Sequence, residues 1–126
     1  MTFSVKLTKT TREGSVSKTD IIYCGGGVTD PYVSDGAIRA DAEAGCSAEV
    51  DNIYLVAALY FGNGNNVAER VENFPKSKYA TKFAPYGCLG MNLDIYSYGR
   101  AIFTKEGYEN SPLDMAGRSP TRTLYC

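Results

Sequence analysis

The sequence predicts an α+β fold: a small antiparallel sheet, two or three short helices and an extended C-terminal arm. Three observations carry this expectation. The first residues alternate, with Phe3, Val5 and Leu7 on one side and Ser4, Lys6 and Thr8 on the other. That is the period of a half-buried strand. In the middle of the chain Val50, Tyr54, Ala57 and Phe61 recur at helical spacing. Alternation then returns at Tyr79, Thr81 and Phe83. Strands at both ends around one helical block lack the regular alternation of a doubly wound sheet.

The elements follow in order. Thr10 to Asp20 is polar and predicts a loop. Ile21 to Cys24 is a short apolar run, a strand that ends in a flexible turn at Gly25, Gly26 and Gly27. These glycines lack the pattern of a phosphate-binding loop, and no clear helix follows them. Asp30-Pro31 marks a turn. Ala37 to Ala44 favours a short helix that Gly45 stops. Ser47 caps a longer one, with Glu49 and Asp51 in the first turn, where the helix dipole favours negative charge. Gly62 is placed to end it. Asn65 caps a third helix over Val67 to Phe74, which Pro75 ends.

Tyr79 to Phe83 then reads as a strand running into Pro85, and Gly87 to Asp94 as a helical turn. Ile95 to Thr104 reads as the last strand, with Gly99 a bend or bulge. Residues 105–126 carry two prolines and little periodicity. They predict an arm outside a single domain spanning residues 1–104, ordered only against a partner.

Composition narrows the chemistry. The chain has 126 residues, the size of one domain, and a formal net charge of -1. No broad basic surface is expected, and nucleic acid is not a predicted partner. The chain has ten tyrosines and no histidine. Ser–His and Cys–His nucleophile pairs and Cys₂His₂ zinc are therefore excluded. Cys24, Cys46, Cys88 and Cys126 are too widely spaced for a Cys₄ zinc site. Asp41 with Glu43, and Glu69 with Glu72, read as solvated charges on helix faces, so no enzyme is predicted. The longest apolar run, Ile53 to Phe61, is about half a membrane span. The opening MTFSVKLTKTTREG has no apolar stretch of signal-peptide length. An intracellular protein with reduced thiols is the expectation. In a secreted domain the four cysteines would pair in one of three ways.

The stretches FSVKL, KYATKFAPYG (78–87) and IYSYGRAIF (95–103) resemble the small linker domains of phycobilisomes. Those domains open on a similar strand, carry a Pro-Tyr strand, then a short helix, then an apolar–Gly–basic closing strand. Gly99, Arg100 and Ile102 stand at the matching places of the closing strand. The block from Thr10 to Ser77 is longer than in a small linker domain, and the charge is less basic. Both features are closer to the chromophore-bearing gamma subunits of red algal phycoerythrin.

That resemblance implies a structural linker of a light-harvesting assembly. It would organise phycobiliprotein subunits or other linkers, at the stromal face of a plastid thylakoid or in a cyanobacterial cytoplasm. It also implies a covalent linear tetrapyrrole (bilin) held through a cysteine thioether, with Cys88, Cys46 and Cys24 as candidates. Such a pigment needs an accessible thiol, a carboxylate for its pyrrole N–H groups and a cation for its propionates. Asp94 and Asp41 are the candidate carboxylates, and Arg39 and Arg100 the candidate cations. Pro85, Tyr86, Tyr96 and Tyr98 are the residues expected to meet a partner, since tyrosine buries area while keeping a polar tip. The competing expectation is a small extracellular binding domain held by two disulfides. Against both stands the ordinary role of a free cysteine as a small buried hydrophobe.

Overall fold

The structure, a computed structural model, describes residues 1–126, and every regular element in it is a strand. They are β1 (Thr2–Glu13), β2 (Val16–Val28), β3 (Tyr32–Ser34), β4 (Ala37–Phe61), β5 (Asn66–Gly87), β6 (Asn92–Thr104), β7 (Leu113–Arg118) and β8 (Arg122–Tyr125). All belong to one antiparallel sheet, curled into a half-barrel. The expected α+β fold is therefore corrected to all-β.

β4 organises the sheet. β5 runs along the whole of one edge, while β3, β2 and β6 take successive stretches of the other. β7 and β8 then extend the sheet from β6. Pairing between β4 and β5 shifts register between Gly45 and Val50, opposite Lys78, and Lys76, two residues before it in β5, has a φ of 47°. A register shift of this kind bends a strand and adds twist. It divides β4 into a first half up to Cys46 and a second half from Asn52.

Helix formers lost to burial. In AIRADAEA the alanines suggested a helix, yet Ile38, Ala40, Ala42 and Ala44 are buried while Arg39, Asp41 and Glu43 point outward. That is a period of two, and tertiary packing overrides intrinsic helix propensity. In the second half Ile53, Leu55, Ala57 and Leu59 enter the core. The expected helical spacing was one sampling of a run apolar on both faces, which periodicity cannot assign. The third expected helix, Val67 to Phe74, is the start of β5.

The core joins Leu7 of β1, Ile22 of β2, Ile38 and Leu55 of β4, and Ile95 and Phe103 of β6. Small alanines, Ala40, Ala42 and Ala44 of β4 and Ala80 and Ala84 of β5, fill the core beneath the first half of β4. Gly25 to Gly27 form no turn, because they lie inside β2. A Cβ at Gly26 would sit 2.2 Å from the Glu43 carbonyl oxygen, and one at Gly27 2.3 Å from that of Met1. Close approach of neighbouring backbones is what demands glycine there. The expected loop over Thr10 to Asp20 is a hairpin, with Glu13 paired to Val16 across Gly14-Ser15 and Gly14 at φ 59°. Gly99 makes no bulge, since its pairing with Ala57 and Gly117 is in continuous register and it packs on Val28.

The expected C-terminal arm is also corrected. Residues 113–118 and 122–125 are β7 and β8, hydrogen-bonded to β6. The turn before β7 covers the free edge of β1. Glu109 N donates to Thr8 O (2.8 Å), Thr8 N donates to Asn110 Oδ1 (3.1 Å), and Asn110 Nδ2 donates to Lys6 O (2.6 Å). The Asn110 amide thus stands in for a neighbouring strand and blunts that edge.

Candidate functional site

Alternation along the first half of β4 puts Arg39, Asp41 and Glu43 on one outward row. Register with β5 brings Pro85, Phe83 and Thr81 beside them, and register with β3 brings Tyr32 beside Arg39. The start of β1, the end of β2 and Arg70 of β5 complete the walls of a groove of about 790 Å³. Its floor includes Gly27, Val28 and Ala42, and its rim is charged.

The charged side chains are held in place. Arg39 Nε donates to Asp41 Oδ1 at 2.6 Å, and the guanidinium lies over the Phe83 ring, 3.8 Å from its centroid. A cation on an aromatic face is attracted by the ring quadrupole. The Tyr32 hydroxyl donates to the other oxygen of Asp41. The backbone of Asp41 is fixed too: its N–H donates to Thr29 Oγ1 (3.0 Å), and its carbonyl accepts from Thr29 N (2.9 Å). Beyond it the Tyr79 hydroxyl donates to Glu43 at 3.0 Å.

Protonation follows from these bonds. Donation to Asp41 holds the Tyr32 proton above the ordinary phenol range, and burial adds to this. Donation to Glu43 does the same for Tyr79. The bond to Asp41 also keeps Arg39 firmly charged.

Lys82 is paired with Glu72 at 2.7 Å. Arg70 has no ionic partner, and the terminal nitrogens of Arg39 make no bond within the chain. The groove therefore offers two arginine donor sets to something outside the chain. One of them is pre-oriented by a carboxylate and a ring, an arrangement suited to a planar anionic group.

The residues expected from the sequence are dispersed. Arg39 and Asp41 meet in this groove. Asp94 lies on β6, accepting from Thr123 Oγ1 at 2.5 Å, and Arg100 forms a two-pronged pair with Asp114 on β7. Pro85 is beside Arg39, whereas Tyr86 packs edge-on against Phe61. Tyr96 and Tyr98 lie against Tyr60, stacked and edge-on, on the outer face of the second half of the sheet. Cys24 bonds Cys46, and Cys88 bonds Cys126. No free cysteine is left, so none of Cys24, Cys46 and Cys88 offers the thiol that a tetrapyrrole thioether requires. The premise of reduced thiols is corrected with them.

Sequence reasoning missed Tyr32, Glu43 and Arg70 as members of the site. The signal for Glu43 was the alternation Arg39, Asp41, Glu43, obscured by reading the segment as helix. Arg70 lies more than ten positions before Phe83 in the same strand, and only the bend of the hairpin brings them together.

Compared with protein-family models, with curated proteins and with solved structures, the chain matches none. No helix is long and apolar enough to cross a membrane.

Proposed function

We propose that the chain is a small disulfide-stabilised binding domain that works in an oxidising compartment and takes an acidic ligand in the Arg39–Arg70 groove. The observation that carries this is the Arg39 guanidinium, fixed by Asp41 and Phe83 with its terminal nitrogens free, facing the same groove as the unpaired Arg70. Two disulfides support the compartment, since such bonds persist where thiols are not kept reduced. Each also closes a long loop, at separations of 22 and 38 residues. Constraining such loops stabilises a small domain by about 3–4 kcal/mol per bond in the chain-entropy account.

A linker of the phycobilisome type is less well supported. Its Pro-Tyr and closing strands should close one sheet with the first strand, through a helix. Here the matching stretches lie in β5 and β6, each paired to β4, while β1 pairs with β2.

The test is titration of the oxidised protein with a short oligoglutamate peptide, followed by amide chemical shifts. Oligolysine and a neutral oligosaccharide serve as controls. Shifts confined to the groove, and lost in Arg39→Ala and Arg70→Ala, are expected. Equal binding of the three probes, or binding unaffected by both substitutions, refutes the proposal.

A further inference from the structure

The second half of the sheet carries an outer face that nothing in the chain covers. Its residues fall into rows set by the register across β5, β4, β6 and β7. One row is Glu69, Ala58, Tyr98 and Arg118. The next is Val71, Val56, Arg100 and Ala116, and the third is Asn73, Tyr54, Ile102 and Asp114. Tyr60 and Tyr96 close the far end, stacked at 5.3 Å, with the Arg118 guanidinium 3.7 Å from the Tyr96 centroid. Val56 and Ala58 are buried yet lie outside the main core, sheltered by the tyrosines and arginines of this face. Tyrosine and arginine around a small apolar centre is the composition of a protein–protein contact.

The ends of the rows indicate which protein. In the first row Glu69 and Arg118 have no ionic partner in the chain; besides its place over Tyr96, Arg118 makes one hydrogen bond, at 3.4 Å to Thr121. They stand three strand spacings apart, about 14 Å. They therefore cannot satisfy each other within one molecule. In the second row the ends are Val71, 43% exposed, and Ala116. In the third they are Asn73, whose oxygen accepts from Asn52, and Asp114.

Each row thus has ends that complement each other: acid with base, apolar with apolar, amide with carboxylate. A two-fold axis parallel to the strands, between β4 and β6, maps each row onto itself and exchanges its ends. It sets β5 of one copy over β7 of the other. Glu69 then meets Arg118, Val71 meets Ala116, and the Asn73 amide meets Asp114, each contact occurring twice. Isologous contacts of this kind are what a two-fold dimer requires. We infer that this face is the contact between two copies of the chain, packed sheet on sheet. Arg70 of the groove stands between Glu69 and Val71 in β5, but alternation turns it to the opposite face, and the rest of the groove lies on the first half of the sheet, so the contact leaves it open.

The test is sedimentation equilibrium of the oxidised full chain up to about 1 mM, the weak end of protein affinities. A monomer–dimer equilibrium is expected. Glu69→Arg and Arg118→Glu should each weaken it about tenfold or more, because like charges then face each other twice. The informative sample is an equimolar mixture of the two variants. In a mixed dimer both contacts become opposite-charge pairs again, so the mixture should dimerise while neither variant alone does so well. Glu69→Arg alters an exposed side chain, and thermal unfolding of each variant checks that the fold is intact. A wild-type monomer at the highest concentration overturns the inference. So does a dimer indifferent to both reversals, or a mixture no tighter than its components.

Discussion

The two halves of β4 share one strand and one partner, β5, yet solve different problems. From Ala37 to Cys46 the inward side chains after Ile38 are alanines and a disulfide cysteine, and the outward row holds the charged Arg39, Asp41 and Glu43. From Asn52 to Phe61 the inward side chains are mainly Ile and Leu, and the outward row is Tyr54, Val56, Ala58 and Tyr60. Small inward residues bury little area, and burial is the main favourable term in folding. The first half is therefore held by cross-linking and polar bonds, and can spend its outer face on a charged groove. The second half supplies the core.

The comparison breaks most easily in the second half. Phe103, fully buried beside Ile53, is the largest fully buried side chain. Phe103→Ala should cost about 3–5 kcal/mol, because the surrounding strands cannot collapse into the space left. Urea unfolding should show the loss as a lower midpoint at unchanged slope. A cost below that of an exposed substitution would mean that the second half is not where stability resides.

The first half should respond instead to its disulfide. Replacing Cys24 and Cys46 together by alanine should lose about 3 kcal/mol by the loop-entropy account. Amide exchange should speed up at Ala42, Ala44 and Gly26, while Leu55 and Leu59 keep their protection. Uniform loss of protection in both halves would show that they unfold as one unit.

This contrast also marks what the sequence made legible. The strands at Phe3, Val5 and Leu7 and at Tyr79 to Phe83 were visible because large apolar or aromatic residues alternated with polar ones, and that at Ile95 to Thr104 through its Tyr96, Tyr98, Ile102 and Phe103. In AIRADAEA the same alternation is present, but alanine is both a good helix former and a small core residue. Its period of two was outweighed by its propensity. In Ile53 to Phe61 the apolar run has no polar face to reveal a period. Arg39 and Asp41 were legible as charged groups, but their meeting with Tyr32, Phe83 and Arg70 depends on pairings between distant segments. The disulfide partners depend on the same long-range register, with Cys24 placed opposite Cys46 by β2 and β4.

The smallest effect tests the outer face of the second half. Arg100 Nε and Nη2 donate to the two oxygens of Asp114, at 2.9 and 2.5 Å. The pair holds the Asp114 carboxyl below its ordinary value of 3.8, chiefly through these hydrogen bonds. A carboxyl whose folded pKa is depressed adds stability above its unfolded pKa. That contribution begins to fade near pH 3.8 and is lost as pH falls through the folded value. Both side chains are well exposed, so screening keeps the gain within about 1 kcal/mol. Arg100→Gln should return the Asp114 titration, followed by carboxyl carbon shifts, toward 3.8. If the titration does not move, the pair does not hold that carboxylate. If Asp114 titrates lower in the associated protein than in a dilute monomer, the Asn73 amide of a second copy is the added donor that would account for it.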